Sequence, residues 1–154
     1  MDPIFKFNLI LSFGNYLLIL MYLGLTIAWW RKRREGLVHA LLSSFAAWLV
    51  VSFIKEIFPT PRPFLQNGLM PTGFNPASGS FPSGHTAAAF AFGVSAFMHD
   101  GPVGVTMLVG SFLIAISRIL GNVHYPVDIV GGAIIGAITA RIVFRLHLPR
   151  KHLS

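Results

Sequence analysis

The chain has 154 residues, of which 54% are apolar and only 11% charged, with 14 Phe and a formal net charge of +7. It is too apolar for a water-soluble domain of this length, and its basic residues gather at the ends of apolar runs instead of forming a surface stripe, which argues against a nucleic-acid partner. Cysteine is absent, so disulfides and thiolate metal sites are excluded.

A membrane-spanning helix needs about 20 mainly apolar residues. Charged or Pro/Gly-rich breaks divide the sequence into five candidate spans, residues 7–30, 37–58, 83–98, 102–120 and 126–147. They predict an all-α, polytopic transmembrane helix bundle, with 1–154 as one integral-membrane domain. The first run reads as a retained anchor, because it is too long for a signal peptide, is followed by no small-residue cleavage site, and carries its charges behind it.

The first span ends on Trp29 and Trp30, an aromatic pair suited to the membrane interface, and Arg31, Lys32, Arg33 and Arg34 follow at once. The positive-inside rule places these cations in the cytoplasm and the N-terminus outside. The second span returns outward and carries Lys55 in its last turn, where a cation suits the helix C-terminus. Pro59, Pro61 and Pro63 stop it.

Residues 64–81 combine the turn formers Gly68, Pro71, Gly73, Pro76 and Gly79 with Phe64, Leu65, Leu69, Met70 and Phe74. Such a loop reads either as a flap at the interface over a site or as a plain apolar connector. Pro82-Ser83-Gly84-His85 opens the third span with Ser83 as its N-cap. The apolar run that follows, 86–98, is short for a crossing. The fourth span returns outward to Arg118, and the fifth runs inward from Pro126 to a tail holding Arg145, Arg150 and Lys151. Gly132 and Gly136 form a GxxxG pair, by default a helix-packing surface. His39, His99, His147 and His152 fall toward the cytoplasmic side and read as interfacial.

Alternating the spans brings Lys55, Arg62, Ser83, His85, Arg118, His124 and Asp128 to one side of the membrane. Apart from these, that side carries Lys6, whereas the opposite side carries Arg31, Lys32, Arg33, Arg34, Arg145, Arg150 and Lys151. Charge bias and reactive residues therefore agree on one topology, with the site external.

The chemistry concentrates between Ser117 and Asp128. Asp128 follows His124 by four residues, and Pro126 favours a new helix there, so both groups sit at a helix N-terminus, where free N–H groups and the macrodipole favour an anion. Lys55, Arg62 and Arg118 would clamp a phosphoryl group and its transition-state charge. Of the five acids, Asp2, Glu35 and Asp100 lie at the chain start or the cytoplasmic side and Glu56 has no acidic companion, so no carboxylate cluster is available for Mg²⁺. Cationic side chains take that place, and no metal or cofactor is expected. His124 can act as nucleophile if neutral, with Asp128 fixing its tautomer. His85 can protonate the departing group, and Ser83 with the N–H groups near Gly84 can complete the phosphate cradle. Taken singly, Lys55 also reads as a snorkelling helix-end lysine, Arg62 as a headgroup contact, and His124 with Asp128 as a capping pair.

These segments resemble the signature of the type 2 phosphatidic acid phosphatase superfamily. Lys55 to Arg62-Pro63 is similar to its first motif, Pro82-Ser83-Gly84-His85 to its second, and Ser117-Arg118 through His124 to Asp128 to its third. The resemblance implies phosphate binding by Lys55, Arg62 and Arg118 with help from Ser83 and Gly84, a phosphohistidine at His124 supported by Asp128, and His85 as the acid. It implies a metal-independent lipid phosphatase in a bacterial plasma membrane. The leading substrate is a polyprenyl diphosphate such as undecaprenyl diphosphate, ahead of phosphatidylglycerol phosphate and phosphatidic acid. Membrane members of the family usually have six spans, and this chain departs from them in offering five. The non-enzymatic alternative is a lipid headgroup-binding or transport protein that uses the same cations.

Overall fold

In the computed structural model, residues 2–147 are described, and they fold into six helices: α1 Pro3–Trp29, α2 Arg34–Ile57, α3 Pro63–Asn67, α4 Gly84–His99, α5 Gly101–Leu120 and α6 Pro126–His147. Local chemistry sets their ends. Asp2 accepts the Ile4 N–H ahead of Pro3, Asp100 accepts the Val103 N–H at 3.2 Å, and α6 begins on Pro126. Ser83 caps α4 as its sequence suggested, accepting from the Thr86 hydroxyl at 3.0 Å and from its N–H at 3.5 Å. The one-turn helix α3 lies in the stretch between the second and third spans, where no helix was predicted.

Four helices, α1, α2, α5 and α6, are long and apolar enough to cross a membrane, against the five spans predicted. The difference is α4, which at 16 residues covers only about 24 Å at about 1.5 Å per residue. It is nevertheless the centre of the bundle, packed against α2, α5 and α6. Ala87, Ala89, Ala91, Phe92 and Ala96 are wholly buried on it. Gly84 faces Val51 and Trp48 near one end of α2, and His99 faces Gly36 near the other, so α4 runs alongside most of its neighbour. Surrounded by protein, it has no need to match the bilayer thickness.

The GxxxG surface packs as read. A Cβ on Gly132 would press on the Ser83 carbonyl, and one on Gly136 would collide with the Ala87 carbonyl, so the bare backbone of α6 lets it lie directly on α4. The outer faces are apolar: Ile27 is 80% exposed, and Leu20, Phe53, Phe112 and Ile134 also point outward. An outward-facing envelope of large aliphatic and aromatic side chains belongs to an integral membrane protein.

At the end of the bundle away from Lys55, Arg33 bridges Asp100 at 3.3 Å and donates to the His99 carbonyl at 2.7 Å. His39 is not interfacial as predicted: it is 1% exposed, with its Nδ1 2.9 Å from His99 Nε2. The packing of α4 and α6 onto α2 covers it, with Phe144 against both rings. His152, Arg150 and Lys151 lie outside the described residues, as does the side chain of His147.

Candidate active site

The elements that end or begin at one end of the bundle assemble the site. The last turn of α2 brings Lys55, the first turn of α4 brings Gly84 and His85, the last turn of α5 brings Arg118, and the turn before α6 brings His124. The Arg118 carbonyl accepts from the N–H groups of Val123 (3.2 Å) and His124 (3.3 Å), which folds that turn back so that His124 hangs beside Arg118. Together with Arg62 these side chains line a cavity of about 240 Å³. Phe74 and Ser78 from the 64–81 loop also line it, so that loop contributes side chains to the site.

His124 is 4% exposed, and its Nδ1 lies 3.2 Å from Asp128 Oδ2. The same oxygen accepts from the Tyr125 N–H at 2.8 Å and from the Ser80 hydroxyl at 2.5 Å. On the other edge of the ring, Arg62 Nη1 lies 3.4 Å from Nε2. An acceptor beside Nδ1 and an obligate donor beside Nε2 assign the hydrogen to Nδ1 and make Nε2 the acceptor that faces Arg62. Burial pushes the His124 pKa down to about 4, against the opposing effect of the hydrogen bond it donates to Asp128. The ring is therefore neutral at physiological pH, as a nucleophile requires.

The cations are held in place by uncharged oxygens of the backbone and of side chains. Arg62 donates to the carbonyls of Ser78 (2.9 Å) and Val123 (3.0 Å) and to the Ser78 hydroxyl (3.1 Å), with its guanidinium stacked over Phe74. Lys55 donates to the Gly79 carbonyl at 2.9 Å. Arg118 is 1% exposed and donates from Nη2 to Asn15 of α1 at 2.6 Å. Tethers to neutral acceptors hold these groups without cancelling their charge, and the cavity is strongly positive as a result. Among the described residues, no group of three or more His, Asp or Glu side chains is arranged to hold a metal ion.

The predicted residues thus fall into two sets. Lys55, Arg62, Gly84, His85, Arg118 and His124 line the cavity, whereas Asp128 stands behind His124 and Ser83 is wholly buried as the α4 cap. The Ser83 N–H donates to the Asp128 carbonyl at 3.0 Å, tying the start of α4 to α6. Sequence reasoning missed Ser80 and Asn15. Ser80 stands two residues before Pro82 of the second motif, and Asn15 is an amide inside an apolar span; both were visible signals.

An apolar cavity of about 410 Å³ adjoins the cationic one, between α1, α2 and α4. Leu18, Tyr22, Leu41, Phe45 and Ala88 line it, and the two cavities share Trp48, Gly84 and His85. His85 therefore stands where the polar and apolar spaces meet.

A family model described as the PAP2 superfamily matches residues 36–152. The chain belongs to the PAP2 superfamily. It is 30% identical over 138 residues to the bacitracin transport permease protein BcrC of Bacillus licheniformis, covering 85% of this chain and 66% of that one. It is 27% identical over 131 residues to the undecaprenyl-diphosphatase BcrC of Bacillus subtilis, covering 82% and 68%. This PAP2 chain therefore spans about two thirds of the length of these relatives. The crystal structure of a PAP2-type phosphatidylglycerolphosphate phosphatase from Bacillus subtilis superposes with a TM-score of 0.67 at 25% identity, covering 96% of this chain and 78% of that one.

Proposed function

We propose that the protein is a membrane phosphatase that removes phosphate from a lipid phosphate or diphosphate through a phosphohistidine on His124, without a metal. The observation that carries this reading is His124 itself: Nδ1 faces a carboxylate oxygen that two further donors hold, and the ring lines a cavity with Lys55, Arg62 and Arg118. The Nε2 lone pair attacks phosphorus, and the bond from phosphorus to the leaving oxygen breaks. His85 gives that oxygen its proton. Water then attacks the phosphohistidine, the N–P bond breaks, and His85 takes a proton from the water, which restores both histidines. Charge on the equatorial oxygens is met throughout by the three cations.

The adjoining apolar cavity supports a lipid over a soluble substrate, since a chain lying there would place its headgroup past His85 among the cations. A polyprenyl diphosphate is the leading class, supported by the named activity of the Bacillus subtilis diphosphatase. Phosphatidylglycerol phosphate, named for the structural neighbour, and phosphatidic acid come next. The charge bias supports a site opening to the periplasm or cell exterior.

Release of inorganic phosphate by the purified protein from undecaprenyl diphosphate, phosphatidylglycerol phosphate, phosphatidic acid and a soluble phosphomonoester tests this reading. Highest kcat/KM on the polyprenyl diphosphate is expected, and a preference for the soluble ester would overturn the lipid assignment. A second reading, transport or headgroup binding, takes support from the permease name of the Bacillus licheniformis relative. It needs the cations but not the His124–Asp128 link, and it gains if no substrate yields phosphate.

A further inference from the structure

We propose that Asn15 is a positioning residue for Arg118, by which α1 completes an anion site whose other members all come from later in the chain. The inference rests on the phosphoryl-binding role of Arg118 put forward above. Helix α1 precedes the residues matched to the PAP2 superfamily, and none of the three motifs reaches it. Its contribution to the site is therefore separate from the shared signature.

The approach of α1 to α5 depends on Gly14. A Cβ there would collide with the Ser117 hydroxyl and stand 3.0 Å from Arg118 Nη2, so at this turn the bare backbone of α1 lies against the Arg118 end of α5. The next residue then reaches the guanidinium with a short side chain: Asn15 Oδ1 accepts from Nη2 at 2.6 Å. An amide inside an apolar span is costly in lipid, which is a reason to expect a specific partner there. Arg118 is 1% exposed, and among the described residues its Nε is buried without a hydrogen-bond partner, while Asn15 supplies a side-chain acceptor for a group that otherwise faces the cavity.

The identity of the acceptor matters. A carboxylate in the same place would hold the guanidinium equally well but would cancel the charge that an incoming phosphate needs. An aliphatic side chain would leave the charge and lose the orientation. The carboxamide provides orientation at no cost in charge.

The test is calorimetric binding of orthovanadate to the full-length protein in detergent, with melting temperature measured alongside, for wild type, Asn15→Leu and Asn15→Asp. Affinity is expected to fall by about tenfold in the Leu variant, where a hydrogen bond to a charged group is lost. It is expected to fall further in the Asp variant, although Asp nearly matches Asn in size and melts no lower than wild type. Loss of affinity without loss of stability is what a purely structural role would not produce. Wild-type affinity in the Asp variant, or losses that follow melting temperature in both, would overturn the proposal; if the Leu variant does not fold, the Asp comparison alone decides. Orthovanadate binding that follows the expected order in a protein releasing no phosphate from any lipid would uphold the tether while removing the phosphatase reading. Absence of binding to wild type would remove both.

Discussion

The Ser80 hydroxyl donates to Asp128 at 2.5 Å, on the same oxygen that lies 3.2 Å from His124 Nδ1. Ser80 is wholly buried, and its oxygen also stands 3.4 Å from that Nδ1, so it packs against both halves of the pair. The carboxylate is fixed by three donors: the Ser80 hydroxyl, the Tyr125 N–H and the His124 ring.

Removing one of those donors should loosen the ring more than the substrate clamp. Ser80→Ala is expected to lower kcat by about tenfold, on the scale of one lost buried hydrogen bond, with a smaller change in KM. Steady-state kinetics on the best lipid substrate check this, and a change confined to KM would assign Ser80 to binding instead.

His124→Ala should abolish turnover yet still bind lipid phosphate, because the nucleophile goes and Lys55, Arg62 and Arg118 stay. Asp128→Asn should lower kcat by about 100-fold or more, since an amide can turn its NH2 toward donors and favour the wrong tautomer. Both are read by phosphate release together with equilibrium binding of a non-hydrolysable lipid phosphonate. Turnover by the Ala variant at the wild-type rate would sink the phosphohistidine.

Activity should survive EDTA and be inhibited by vanadate, whose oxygens suit a cavity lined by two guanidinium groups and an ammonium. The measurement is phosphate release after chelation and dialysis. A loss that Mg²⁺ restores would require a metal ion in the reaction.

The depressed His124 pKa has a definite sign. Between the ordinary histidine value near 6.5 and the folded value of about 4, the unfolded chain binds more protons than the native one, so stability rises with pH across that window. The contribution is unfavourable below it and vanishes above about pH 6.5. Nitrogen-15 shifts of the His124 ring should remain those of a neutral, Nδ1-protonated imidazole at pH 5.5. A midpoint near 6.5 would mean that burial does not govern this group.

Orientation can be read with single cysteines, since the chain contains none of its own. Ala77→Cys on the exposed 64–81 loop should react with an impermeant thiol reagent in intact cells, and Lys32→Cys behind Trp30 should not. The reverse pattern would turn the site toward the cytoplasm and remove the reason for preferring an outer-leaflet lipid.

Much of this protein was determined by local sequence. Helix ends follow from Asp2, Ser83, Asp100 and Pro126, and apolar run length alone located α1, α2, α5 and α6. Span parity brought Lys55, Arg62, His85, Arg118 and His124 to one end, because alternate helices of a bundle must reverse direction, and the structure gathers them in one cavity. Tertiary structure decided what depends on distance between segments far apart in the chain. Ser80 meets Asp128 across 48 positions and Asn15 meets Arg118 across 103, and no periodicity or spacing encodes such a contact. The same holds for α4, whose short apolar run suffices because protein, not lipid, surrounds it, and for His39, which its position suggested was interfacial and its neighbours bury. Sequence specifies which face of a helix is apolar or small; only packing decides whether lipid or another backbone covers that face, and therefore which polar groups are left to do chemistry.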